Sequence, residues 1–270
     1  MKTVIVSTDF TEASTNAVLF AADLALAVNA TLQIYHTIPQ HEALVDNLDY
    51  DAEYVETEEA MQQLEKLQEK IKRYTQYRLS VDVQLKYDTI DLVLEESCKQ
   101  AAPCAVVMAA TEKNALQRFL LGSETVSVSH KLQVPLLLVP NKAAFNGFKK
   151  VAIATDLNTV RDTMPLDRLT QWIEAFKPAL EIVFVKEDDK FGAENVSEAV
   201  ALQTHFAKYY PTSRYIQNNN IAEGINTYLS DNWPDLLIIV PKKHTFLHTS
   251  LSKQFITHAT VPTMVLSNHH

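Results

Sequence analysis

Short, largely apolar runs recur along the chain, separated by longer stretches in which apolar and polar residues alternate. Residues 3–7 (TVIVS), 104–108 (CAVVM) and 134–140 (VPLLLVP) are such runs, rich in Val and Leu. Continuous apolar runs of this length are typical of strands that a parallel sheet buries on both faces. The pattern therefore predicts an α/β fold built on a parallel sheet.

Between these runs, apolar residues return every three or four positions, which predicts amphipathic helices. The predicted stripes are Phe20, Ala21, Leu24 and Val28; Leu64, Leu67, Ile71 and Tyr74; and Leu166, Leu169, Trp172, Ile173 and Phe176. The segment 56–79 is acidic at its start and basic towards its end, an order that complements the helix dipole. Asn220, with Glu223 three residues later, predicts the start of a further helix.

The second half of the chain repeats the order of segments in the first. The matching segments are 3–10 with 150–157, 104–113 with 235–244, and 134–140 with 261–267. Three matches in the same order indicate two copies of one domain, which we place at residues 1–142 and 149–268.

Each copy reads β-α-β-α-β-α-β-α-β, so right-handed crossovers predict a five-stranded, open, doubly wound sheet with helices on both faces. Ligands of such Rossmann-like sheets bind beyond the carboxyl ends of the strands, where the strand order reverses. In the first copy this predicts a crevice bounded by Thr8, Asp9, the end of the strand at 32–38 and the loop 109–123. The equivalents in the second copy are Thr155, Asp156 and the loop 241–250.

Charge and composition narrow the class of partner. The 270 residues carry a net charge of −9 and 47% apolar residues. An acidic chain does not suit a nucleic-acid or anionic-lipid surface, and no run approaches the roughly 18 apolar residues of a membrane span. The first ten residues lack a signal-peptide pattern, and two cysteines, Cys98 and Cys104, fit a reducing compartment. We therefore expect a cytoplasmic protein.

These segments resemble the universal stress proteins, once per half, as in the tandem members of that family. The resemblance rests on residues 3–14 (TVIVSTDFTEAS), on a strand ending in Tyr35 and His36, and on 116–123 (LQRFLLGS) followed by 134–140. It implies an adenine nucleotide alpha hydrolase-like fold. It also implies that the two last strands meet, as an intramolecular version of the family's dimer.

In nucleotide-binding members the signature is Gly, two residues, Gly, nine residues, then Gly followed by Ser or Thr. In the first half this signature falls on Ala109, Glu112, Gly122 and Ser123, so two of its three glycines are replaced. The matching segment of the second half, 241–254, contains no glycine. The cofactor-binding positions implied by the resemblance are Thr8, Asp9, Thr37, Ala109, Glu112, Gly122, Ser123 and Glu124.

The two glycine losses are unequal. Glycine lets backbone N–H groups approach a phosphate without an intervening side chain, and Ala109 is a mild change. Glu112 places a carboxylate near the phosphates; two like charges about 4 Å apart at an effective dielectric of about 20 cost about 4 kcal/mol, or roughly three decades of affinity. Gly122 and Ser123 retain a helix N-terminus suited to anions. We expect a degenerate site for ATP or AMP in the first half only.

Other candidate chemistry has simpler explanations. His244, His248 and His258 lack a Cys or carboxylate partner at zinc-ligand spacing, so a solvated loop is favoured over a metal site. No hydroxyl in the run after Ser123 has a positioned base, and no catalytic residue is predicted. Asp9 fits either a nucleotide contact or a cap on the following loop.

The leading hypothesis is a tandem universal stress protein acting as a non-catalytic cytoplasmic stress-response module. One alternative is an interaction scaffold that binds no nucleotide and contacts unknown protein partners through the loops 39–60 and 241–250. The other is a weak ATP-hydrolysing enzyme. An intramolecular pseudo-dimer is expected, and a homo-oligomer is compatible with the sequence.

Overall fold

The computed structural model describes residues 2–38, 50–110, 132, 134–155, 164–186, 193–218, 221–240 and 260–266. The strands in these ranges are β1 (Lys2–Ser7), β2 (Ala30–Ile38), β3 (Val81–Tyr87), β4 (Ala105–Ala110), β5 (Leu136–Pro140), β6 (Lys150–Thr155), β7 (Ala179–Lys186), β8 (Thr212–Gln217), β9 (Leu236–Ile239) and β10 (Thr263–Val265). The α-helices are α1 (Glu12–Ala27), α2 (Tyr50–Tyr74), α3 (Ile90–Ala101), α4 (Leu166–Phe176), α5 (Ala193–His205) and α6 (Ile221–Asn232).

The strands form one ten-stranded sheet in the order β3-β2-β1-β4-β5-β10-β9-β6-β7-β8. Within each half the strands are parallel, and each half has the same order, third-second-first-fourth-fifth. The predicted α/β fold with two doubly wound copies is confirmed. The proposed domain boundaries, 1–142 and 149–268, stay a prediction.

Helices cover both faces of the sheet. On one face α1, α2, α4 and α5 bury a single apolar cluster that includes Leu24, Leu64 and Ile173. On the other face α3 and α6 contribute Leu94 and Leu229 to a second cluster. The crossover from β3 to β4 therefore changes face, as a doubly wound sheet requires.

The two halves join where β5 and β10 pair in antiparallel orientation. Leu137 lies opposite Met264, and both side chains are fully buried. This pairing confirms the expected meeting of the last strands. It also turns what would be two exposed sheet edges into the centre of one sheet.

An aromatic cluster in the connecting segment reinforces this junction. The Phe145 and Phe148 rings lie 5.1 Å apart in an edge-to-face arrangement. Phe145 packs 5.3 Å from Phe20 of α1, and Phe148 packs 4.9 Å from Phe176 of α4. Edge-to-face pairs at these distances add to the free energy gained from burial alone. The connecting segment thus links a helix of each half.

Helix α2 departs from the sequence-based expectation at both ends. It begins at Tyr50 and ends at Tyr74, whereas the charge pattern suggested 56–79. Gln76 and Tyr77 adopt left-handed φ values of 53° and 58°, which end the helix. Tyr74, expected in the buried stripe, is 52% exposed, because its hydroxyl donates to the Asp23 carboxylate at the surface (2.8 Å).

None of the helices in the described ranges combines the length and apolarity needed to span a bilayer.

The shared sheet makes a testable prediction about cooperativity. Leu137→Ala removes buried methyl groups from β5, in the first half, and should lower the free energy of unfolding by about 2–4 kcal/mol. Both tryptophans, Trp172 and Trp233, lie in the second half, so their fluorescence reports on that half during urea unfolding. We expect the fluorescence midpoint to fall in Leu137→Ala and to stay unchanged in Leu92→Ala, whose side chain is 51% exposed. An unchanged midpoint in Leu137→Ala would mean that the halves unfold separately.

Candidate functional site

The carboxyl ends of β1, β2 and β4 meet at the predicted crevice of the first half. Strand order reverses here, because β1 has β2 on one side and β4 on the other. Thr8 and Asp9 directly follow β1, Thr37 lies near the end of β2, and Ala109 lies near the end of β4. These four predicted residues therefore share one edge of the sheet.

Two of the four stand in strands rather than in loops. Thr37, expected just after the second strand, lies within β2 opposite Lys86, and Ala109, expected in the loop, lies within β4 opposite Val139. Pairing with a neighbouring strand thus extends β2 and β4 beyond the apolar runs that predicted them. The Ala109 side chain is buried, so its methyl group belongs to the core. The predicted residues Glu112, Gly122, Ser123 and Glu124 lie outside the described residues.

Hydroxyl groups hold the loop after β1. Thr8 Oγ1 accepts a hydrogen bond from the Phe10 N–H (3.1 Å) and lies 3.1 Å from Ser14 Oγ. Ser14 Oγ accepts from the Asp9 N–H (3.2 Å). Thr11 caps α1, with its Oγ1 accepting from the Ser14 N–H at 3.3 Å. We name Thr8, Thr11 and Ser14 the hydroxyl network. Thr11 and Ser14 were not among the predicted site residues, although a Thr directly before an apolar-periodic segment is an N-cap signal.

Asp9 is the one carboxylate in this loop, and it is exposed. Its Oδ1 accepts hydrogen bonds from the Thr11 N–H (3.1 Å) and the Thr11 hydroxyl (2.6 Å). Partial burial by itself would raise the pKa of the Asp9 carboxyl, but hydrogen bonds involving Ser14 and Thr11 outweigh it and hold the pKa below its ordinary value. Of the two roles predicted for Asp9, these bonds show the loop cap; contact with a nucleotide stays a prediction.

His36 and Phe10 are two further residues at this edge, and neither was among the predicted site residues. His36 Nδ1 lies 2.8 Å from the Thr8 carbonyl oxygen, so Nδ1 carries the proton in this bond. The Phe10 ring packs 4.4 Å from the imidazole ring, with the Phe10 backbone at a left-handed φ of 61°. Non-glycine residues rarely adopt this φ, so the contacts of Phe10 maintain a locally strained turn.

The second half shows only part of its equivalent crevice. Thr155 ends β6, as Thr8 follows β1, and its buried hydroxyl has no hydrogen-bond partner. Asp156 and the loop 241–250, with His244 and His248, lie outside the described residues, as does His258. Among the side chains whose positions the structure gives, no group of three His, Cys, Asp or Glu could hold a metal ion.

The cap role of Asp9 predicts a pH dependence. Its folded-state pKa is depressed, so its contribution to stability is present above the unfolded-state pKa of about 3.9 and is lost as the pH falls through the folded-state pKa. Asp9→Asn should lower the free energy of unfolding at pH 7 by a few tenths to about 1 kcal/mol. Urea unfolding should show this difference shrinking as the pH falls from about 5 to about 3. Asp231→Asn, an exposed position on α6, is the control and should show no such trend.

Comparisons with known proteins agree with this architecture. A universal stress protein from Archaeoglobus fulgidus DSM 4304 superposes with a TM-score of 0.71 at 16% identity, covering 99% of this chain and 98% of its own. A putative universal stress protein from Pseudomonas aeruginosa UCBPP-PA14 gives 0.57 at 12% identity, covering 99% and 93%. A universal stress protein in complex with cAMP covers 52% of this chain and 98% of its own at 21% identity, with a TM-score of 0.40, too distant to transfer its ligand.

No curated protein sequence matches the chain. The family model described as the universal stress protein family matches residues 1–140, which is more than half of the 270 residues. The chain therefore belongs to the universal stress protein family.

Proposed function

We propose that the first half binds an adenine nucleotide weakly in the crevice at the ends of β1, β2 and β4, and that the protein is a non-catalytic cytoplasmic module of stress response. The observation that carries the proposal is the placement of Asp9. The Asp9 carboxylate lies where the strand order reverses. Hydrogen bonds to the hydroxyl network hold its loop in place. Ligands of doubly wound sheets bind at this point.

Asp9 has the chemistry to hold a ribose. Both observed bonds from Thr11 fall on Oδ1, so Oδ2 takes part in neither. Ribose hydroxyl groups donate hydrogen bonds, and a carboxylate acceptor that is ionised and preoriented makes such bonds strong. The lowered pKa of Asp9 keeps the acceptor ionised throughout the neutral range.

The same edge offers a surface for a purine base. The Phe10 and His36 rings pack there at a tilt of 35° with ring centroids 4.4 Å apart, and Phe10 also packs against the main core. Aromatic rings favour offset or edge contacts with other flat rings. The strained φ of Phe10 fits a turn whose conformation is kept for binding rather than for stability.

The phosphate side is the weak part of the proposed site. In the family register, Gly122 and Ser123 would stand at a helix N-terminus that favours phosphate, whereas Glu112 would bring a carboxylate near the phosphates. The charge of Glu112 opposes ATP more than AMP, since repulsion grows with the ligand's charge. We therefore infer that AMP binds more tightly than ATP in the natural sequence.

This proposal predicts that removing the charge at position 112 restores ATP affinity. Glu112→Gln should tighten ATP binding by about one to three decades and AMP binding by less, because an effective dielectric of about 20 makes each like charge costly at short range. Isothermal titration calorimetry with Mg-ATP and with AMP measures both. Glu65→Gln removes a carboxylate from the exposed face of α2 and is the matched control, expected to change neither affinity.

Equal affinities in the natural protein and Glu112→Gln would show that the loop does not face phosphate. Absence of binding by AMP and ATP in every variant, up to millimolar concentration, would favour the scaffold that binds no nucleotide. A specific observation supports that second candidate: the N–H groups of Asp9 and Phe10 already donate to Ser14 and Thr8. These donors are therefore not available to a ligand in the observed arrangement.

The non-catalytic assignment makes a separate prediction. Among the described residues at this edge, His36 carries the imidazole: its Nδ1–H donates to the Thr8 carbonyl, which leaves Nε2 as the nitrogen that a hydrolytic step would need as proton acceptor. Overnight incubation with Mg-ATP should release no ADP above a buffer control. His205→Gln changes a histidine of α5, in the second half, and is the control. ADP release that persists in His205→Gln but disappears in His36→Gln would instead favour the weak ATP-hydrolysing enzyme.

A further inference from the structure

A cavity of about 310 Å³ lies between the two halves, at the opposite edge of the first-half sheet from the nucleotide crevice. The first half contributes the amino ends of its strands, including Lys2 at the start of β1 and Cys104 and Pro135 just before β4 and β5. The second half contributes one face of α4, with Arg168 and Trp172. We name this space the inter-half cavity.

Arg168 is the unusual residue in this cavity. Its Nη1 is buried and has no hydrogen-bond partner. A buried guanidinium nitrogen without a partner carries a desolvation cost that proteins normally avoid. Lys2 brings a second positive charge, and it acts on the Cys104 thiol strongly enough to offset part of the rise that burial causes in the Cys104 pKa. None of the described residues that line the cavity carries a carboxylate.

The rest of the lining is mainly apolar. Trp172, Val28 and Pro135 stand on different sides of the cavity, from α4, the end of α1 and the approach to β5. Cys104 is half-buried, and its thiol donates to the Thr3 carbonyl (3.2 Å), so it presents a small, weakly polar surface. The lining thus combines two cationic side chains with mainly apolar ones, and the cavity volume stands at the small end of the range for ligand sites.

We propose that the inter-half cavity binds a small organic carboxylate with an aromatic or aliphatic body. The carboxylate would pair with the Arg168 guanidinium, whose side chain would turn to present its buried, unpartnered Nη1 to the ligand, with Lys2 adding to the positive potential. Arginine pairs with carboxylates through charge-assisted and often bidentate bonds. The apolar body would pack against the Trp172 indole and the Val28 side chain. This site is independent of the nucleotide crevice.

The cavity volume and lining favour a carboxylate over a nucleotide. A nucleotide is larger, and even AMP brings a doubly charged phosphate and a polar ribose, whereas the lining here supplies one guanidinium and one exposed ammonium among mainly apolar side chains. A monoanion with a hydrophobic body matches both the charge and the lining. Because each half supplies one wall, only the docked halves form the complete site.

The test uses Trp172 as an internal reporter. Trp233→Phe removes the other tryptophan, which does not line the cavity. In this background, phenylacetate and hexanoate should each produce a saturable change in Trp172 fluorescence, with dissociation constants on the order of millimolar for ligands of this size. Phenylacetamide has nearly the same shape without the charge and should bind at least about tenfold more weakly.

Arg168→Gln should raise the dissociation constant for both carboxylates by at least about tenfold. The matched control is Arg73→Gln, which removes the same charge from the surface of α2 and should leave binding unchanged. The Arg168→Gln variant should also melt at the same or a higher temperature than its parent, because it removes a buried guanidinium nitrogen that has no hydrogen-bond partner; an arginine needed for the fold would instead lower the melting temperature.

Three results would overturn the proposal. One is a flat fluorescence response to both carboxylates up to about 20 mM, a range that covers weak ligands of this size. Another is equal binding of phenylacetate and phenylacetamide, which would make the charge irrelevant. The last is unchanged carboxylate binding in Arg168→Gln, which would place the ligand elsewhere.

Discussion

The antiparallel pairing of β5 with β10 is the contact on which the rest of this structure depends. Three residue pairs, with Leu137 opposite Met264 at their centre, join two parallel sheets into one. Each half would otherwise end in an apolar strand with unpaired backbone groups, a surface that invites aggregation. The pairing also fixes direction: strands of the second half run opposite to those of the first. The carboxyl edge of one half therefore lies on the same side as the amino edge of the other.

This reversal decides which surfaces face one another. It brings α4 of the second half beside the amino ends of the first-half strands. Arg168 and Trp172 of α4 therefore line the same cavity as Lys2 and Cys104. The reversal also lets Phe145 and Phe148 pack between α1 and α4 instead of forming an exposed linker. The inter-half cavity is thus a consequence of the sheet junction, as is the aromatic cluster.

The sequence predicts most of the fold because its strands are buried on both faces, and burial on both faces leaves a continuous apolar run. The ends of the strands are harder to predict from sequence. Thr37 and Ala109 belong to strands because they pair with β3 and β5, and the apolar runs do not mark this pairing. The Thr8 and Asp9 positions follow from the end of an apolar run. No local pattern marks Arg168, because its environment arises when first-half residues between Lys2 and Pro135 pack beside α4 of the second half. The positions of Thr8 and Asp9 could thus be read from a local signal, whereas the surroundings of Arg168 could not.

The two candidate sites stand at opposite ends of the same strand. Lys2 begins β1 and lines the cavity, whereas Thr8 and Asp9 follow its end and line the crevice. Coupling between two ligands needs an element with two arrangements that both ligands favour differently. β1 is bonded to β2 on one side and β4 on the other, and Val4 and Val6 are fully buried, so a shift of this strand would disrupt both ladders and the core. A strand held in this way does not offer the two ligands two different arrangements. We therefore infer that binding at the crevice, within one half, is independent of binding at the cavity, across the junction.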